Sequence, residues 1–177
     1  MYGHLELGGN NASYSTWEVG VTYNVNDYVV YMHETCKILE VKNIKDKKYY
    51  VLKPINDNSL KISIPCDNKN IKRIISKEKI DSLINNIPNI LEIDESNKNL
   101  DSKYKELLNN NSYEDLIRII KTTYLRNMNR LNNKKKISDK DEYYFLLAEK
   151  YLYSEMFITL NMPIEEVREY IKKKLEC

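Results

Sequence analysis

The chain has 177 residues, 42% of them apolar and 31% charged, with a formal net charge of +2. That length suits one compact domain or two small ones with a real core, so neither disulfides nor a structural metal are needed for folding, and the composition excludes a disordered chain. No apolar run nears the roughly 20 residues of a membrane span.

Residues 1–22 hold all four glycines and the only tryptophan, Trp17, and no Lys or Arg precedes Lys37. They read as a leader or an appended extension, with a native N-terminal arm as the alternative. No basic-then-apolar secretion signal opens the sequence. Cys36, Cys66 and Cys177 are odd in number and far apart, so the expected compartment is the reducing cytoplasm.

Residues 23–75 read as strands. Residues 25–31 are rich in Val and Tyr, residues 36–41 follow, and a polar turn at Lys45-Asp46-Lys47 leads into residues 49–52. A second turn, Asn56-Asp57-Asn58-Ser59, leads into residues 60–64, where Leu60, Ile62 and Ile64 alternate onto one face before Pro65 ends the run. Four or five short strands joined by tight turns predict a small antiparallel barrel of the SH3 or Tudor type.

From Ser76 the period becomes helical. Ile80, Leu83, Ile84 and Ile87 form a stripe that stops at Pro88, and residues 91–99 read as a polar linker. Leu100, Tyr104, Leu107 and Leu108 form the next stripe. Ser112 opens a helix to about Arg130, Ser138 opens a long helix to about Leu160, and Pro163 fits the first turn of a last helix. Strands followed by helices predict an α+β chain: a β domain at 23–75 and an all-α domain at 76–177.

Catalytic chemistry is not indicated. There is no G-x-x-x-x-G-K-[ST], G-x-G-x-x-G or H-E-x-x-H, and outside the leader no glycine exists to build a phosphate cradle. The acid pairs Asp141-Glu142 and Glu165-Glu166 fall in helical first turns, where they complement the helix dipole. His33 reads as a turn or surface residue, and Cys36 and Cys66 as small apolar strand residues. No enzyme, metal or cofactor is expected, and a carboxylate-based nuclease is the enzymatic alternative set aside.

Charge is placed unevenly. Residues 98–140 carry eleven basic and five acidic side chains, whereas residues 141–177 carry five basic and eight acidic. Lys103, Lys105, Arg118, Lys121, Arg126, Arg130 and Lys134, Lys135 and Lys136 are candidates for phosphate contact, with an ordinary solvated face as the other reading.

In combination these segments resemble the CarD/CdnL family of bacterial transcription regulators, whose N-terminal module is related to the polymerase-binding domain of the transcription-repair coupling factor. The matching stretches are residues 25–31, His33, residues 49–53, 60–65 and Asn68, then residues 99–105, Ile137-Ser138 and residues 152–155. The resemblance implies a cytoplasmic, monomeric two-domain adaptor. Its barrel would bind the β subunit of RNA polymerase by strand pairing, with contacts at Lys42, Ile44 and Ser63. Its helical domain would sit on promoter DNA at the upstream edge of the melted region and stabilise the open complex. Where the family places a tryptophan wedge this chain has Leu100, flanked by Lys103 and Lys105 as phosphate contacts; the alternative for Leu100 is core packing with Tyr104. An adaptor whose helical domain contacts protein rather than DNA is the other reading.

Overall fold

The computed structural model describes residues 21–176. Residues 1–20, with most of the expected leader and Trp17, and Cys177 lie outside the described residues.

Five strands come first: β1 (Tyr28–Tyr31), β2 (Glu34–Ile44), β3 (Lys47–Pro54), β4 (Ile62–Pro65) and β5 (Ile71–Arg73). All pairings are antiparallel, in the order β4-β3-β2-β1-β5. The sheet is open. The expected barrel is not closed, because closure would require β4 to pair with β5, and these short strands of four and three residues occupy opposite edges.

The two central hairpins turn through Met32-His33 and Lys45-Asp46, all at positive φ between 47° and 68°. Two successive residues of that hand match the right-handed twist of the flanking strands. Here non-glycine residues take that conformation, which carries a backbone cost. A bulge between Ile38 and Glu40 bends β2.

One sheet face buries Val29, Cys36, Ile38, Tyr50, Leu52 and Ile64 in a small core. The Tyr50 hydroxyl accepts the Tyr23 N–H at 3.0 Å beneath it. The opposite face carries Tyr28, Val30, Thr35, Lys37, Val51 and Lys53, as the pairing register requires.

The helices are α1 (Lys77–Asn86), α2 (Leu100–Asn109), α3 (Tyr113–Asn132), α4 (Asp139–Leu160) and α5 (Ile164–Leu175), with a 3-10 turn at Ile87–Asn89. Ser76, Ser112 and Ser138 cap α1, α3 and α4 by accepting the N–H groups of Lys79, Asp115 and Asp141. Pro163 stands at the N-cap of α5, one position before its first turn. The expected stripes, Ile80, Leu83, Ile84 and Ile87 and then Leu100, Tyr104, Leu107 and Leu108, meet in a second core with Ile117, Ile120, Leu152 and Met156. Residues 91–99 form no element, but Ile93 is buried and its N–H is accepted by Thr122 Oγ1 at 2.9 Å. Among the described residues no helix is long and apolar enough to cross a membrane.

Helix α4 joins the two cores. Thr35 and Ser154 share a hydrogen bond of 2.9 Å, the His33 ring stacks on Tyr151 at 4.7 Å, and Lys150 pairs with Glu34 at 2.5 Å. Further along, Glu155 Oε2 accepts both the Ile75 N–H at 2.8 Å and the Tyr113 hydroxyl at 2.7 Å. The Thr159 hydroxyl donates to the Ile75 carbonyl at 2.7 Å. Burial pushes the Glu155 carboxyl above its usual range, against the nearby Lys72 charge and these two donors.

Candidate functional site

The sheet places Lys42, Ile44 and Ser63 on one face. Lys42 opposes Tyr49, Ile44 opposes Lys47, and Ser63 opposes Val51, which itself opposes Glu40. Residues 40, 42 and 44 alternate onto the same side of β2. All three candidate contacts are exposed, Ile44 at 43%. Lys42 pairs with Glu40 at 2.8 Å on the surface, a contact too solvated to fix its position strongly.

The β2–β3 hairpin extends past the rest of the sheet. Strand β1 pairs only with residues 34–37 of β2, and the segment ahead of it adds backbone bonds to Ile38. Residues 40–44 thus have a strand partner on one side only, β3, among the described residues. Their other edge offers backbone N–H and C=O groups, the template that β-strand addition uses.

The helical candidates gather at the end of the bundle where α2 begins, α3 ends and α4 begins. Tyr104 and Tyr144 donate hydroxyls to Asp141 and Asp101, each at 2.9 Å, which ties the start of α2 to the start of α4. Burial first, and then the Asp141 carboxylate, push the Tyr104 phenol up; burial and Asp101 bring Tyr144 to about 12. Arg126 reaches Asp141 at 3.0 Å and Asn97 at 2.9 Å, and Arg130 donates to the Lys136 carbonyl at 2.7 Å. Arg126 thus ties α3 to the start of α4 and to the 91–99 segment, and Arg130 holds the α3–α4 loop. Lys134, Lys135 and Lys136 stand exposed on it, with Lys134 at a φ of 56°.

Several other candidates are held by internal partners. Lys103 pairs with Glu106 and Lys105 with Asp101, both at 2.8 Å. Lys121 donates to the Ile87, Pro88 and Ile90 carbonyls and so caps the 3-10 turn, while Arg118 reaches the Leu91 carbonyl. Leu100 is 2% exposed and lies in the helical core with Tyr104. The apolar stripe of α2 turns this side chain inward, the packing given above as the alternative to the wedge.

His33 is half-buried, its imidazole held below its ordinary value by burial and then by Lys72, with Glu34 acting oppositely. Burial, reinforced by Glu34, pushes the Cys36 thiol up to about 12, which leaves it an unreactive core residue. Among the described residues no group of three or more His, Cys, Asp or Glu could hold a metal ion.

A feature not legible in the sequence is that Tyr143, Leu146 and Phe157 of α4 remain exposed, Tyr143 at 60%. Charged and apolar residues are spread all round this helix, so its sequence gives no one-sided stripe to read. No family model matches the chain, and no curated protein matches it either.

Proposed function

We propose that this chain is a cytoplasmic adaptor of bacterial transcription, of the kind the CarD/CdnL resemblance implies. It binds the β subunit of RNA polymerase through its sheet and promoter DNA through the basic end of its helical bundle. On this reading the sheet is a derivative of the Tudor or SH3 type, opened at its β4–β5 seam. The observation that carries the proposal is the one-sided edge of residues 40–44, with Lys42, Ile44 and Ser63 beside it on one exposed face. Such an edge accepts a strand from a partner: main-chain bonds supply affinity and the outward side chains supply selectivity.

The DNA contact rests on Lys134, Lys135 and Lys136, with Lys103 and Lys105 able to exchange their surface carboxylate partners for phosphates. Arg130 holds the loop in place, and Arg126 anchors α3 to the start of α4 beside it. No bond chemistry is involved. Tethering through the sheet raises the effective concentration of the lysine loop at the promoter, so a weak DNA contact suffices. A contact made only with melted DNA lengthens the open complex by tenfold for each ~1.4 kcal/mol.

The test is open-complex lifetime on a cognate promoter, with and without the chain. The expected result is a longer lifetime that Lys134→Ala, Lys135→Ala and Lys136→Ala together shorten, while Leu100 acts only through stability. The exposed Tyr143, Leu146 and Phe157 favour one other reading, in which the helical domain contacts protein. An extended lifetime indifferent to the three lysines would select it.

A further inference from the structure

We infer that the cleft between the outer sheet face and the second half of α4 binds a nucleotide, a planar base bearing phosphate. This site uses other residues of the sheet face that carries the proposed polymerase contacts, and it does not depend on that reading. The cleft is lined by Tyr28, Lys37, Lys53 and Asn58 from the sheet side and by Phe157 and Ile158 from α4.

Its charge arrangement is the first argument. Lys37 and Lys53 are direct cross-strand partners, and Tyr28 opposes Lys37 on the other side, so the three side chains stand in one row. Like charges directly opposed across strands are destabilising. No carboxylate pairs with either lysine among the described residues; Lys37 has only the Tyr28 ring, 5.8 Å away. The acidic side chains nearest along the chain are committed elsewhere: Glu34 to Lys150, Glu40 to Lys42, and Asp57 to the N–H and hydroxyl of Ser59. An uncompensated pair of cations lining an open cleft is resolved by an anion.

The walls supply the second argument. Phe157 is 39% exposed although it projects from a helix packed between two cores, and Tyr28 faces the same space. Two aromatic side chains beside two ammonium groups fit a ligand with a flat ring and a phosphate: the ring stacks, and the lysines act as point charges. Asn58 offers both a donor and an acceptor to a base edge. The volume is about 230 Å³, below the range of about 300–1,000 Å³ usual for larger ligands. One base is accommodated, with its phosphates at the open mouth. Residues 21–176 contain no glycine, so the phosphate contact is made by side chains and weakens with salt.

The experiment is calorimetric titration of the full chain with ADP and GDP, with adenosine and inorganic pyrophosphate as controls. The expected result is binding of at least one nucleotide with a Kd at or below about 1 mM, tighter than either control. The Lys37→Ala/Lys53→Ala chain is expected to bind about tenfold or more weakly, and Phe157→Ala to weaken binding as well. Thermal melting without ligand gives a second check: Lys53→Gln melts at the wild-type temperature or above, because it removes the opposed charge. No binding of either nucleotide, or affinity unchanged in the double lysine variant, overturns the assignment. So does pyrophosphate binding as tightly as ADP, a single-stranded oligonucleotide binding more tightly than the nucleotides, or a lowered melting temperature for Lys53→Gln.

Discussion

Leu100 opens α2 with its side chain closed off from solvent among the apolar residues of the helical core. Truncation there leaves a cavity, so Leu100→Ala is expected to lower unfolding free energy by about 2–5 kcal/mol, measured by chemical denaturation. A variant of wild-type stability that still shortened open-complex lifetime would contradict the core role. His33 poses a different question, since its ring lies on Tyr151 with Glu34 and Lys72 close by. Its folded pKa is lowered, so the unfolded chain binds the proton more readily. Its stabilising contribution is complete above the unfolded value of about 6.5 and is lost as pH falls through it toward the folded value. Glu155 has the opposite sign: its carboxyl is raised, so its contribution declines as pH rises above the usual carboxylate range. His33→Asn, which tolerates the left-handed backbone at this turn, separates the two. Thermal melts from pH 7.5 to 5.5 are expected to show a steeper loss in the wild type than in the variant. Parallel slopes would contradict the assignment to His33.

Capping serines set where the long helices begin. Ser138 Oγ accepts the Asp141 N–H at 3.2 Å, and the same Asp141 receives Tyr104 and Arg126. Ser138→Ala is expected to destabilise the chain by about 1 kcal/mol, read from denaturation midpoints; no change would mean that solvent caps this helix equally well. These starts were legible because a cap and its apolar stripe are local patterns. Strand β5 was not: Ile71, Lys72 and Arg73 have neither length nor alternation, and only pairing with β1 makes them a strand. The open sheet was equally hidden, since closure depends on which strands meet at the edges rather than on any one of them. The row Tyr28, Lys37 and Lys53 depends on register across three strands, which single-segment periodicity does not report. For Leu100 the stripe with Tyr104, Leu107 and Leu108 pointed to the core, whereas the family resemblance pointed to DNA; the fold sides with the stripe.

At the scale of the molecule, α4 makes one body of two cores. Beside the His33–Tyr151 stack and the surface pair Glu34–Lys150, it makes buried hydrogen bonds: Thr35–Ser154 to the sheet, and Glu155 to the chain at Ile75 just past it. Buried and satisfied groups of this kind fix orientation, because any sliding would leave donors without acceptors. The sheet ribbon and the lysine loop are thereby held in a defined relation, which the proposed adaptor role would require. The most direct test is equilibrium binding of the purified chain to cognate core RNA polymerase, comparing wild type with Lys42→Glu and Ile44→Asp. Saturable binding that each substitution weakens about tenfold or more, with melting temperature unchanged, is the predicted result. No binding by the wild type, or binding indifferent to both substitutions, would contradict it.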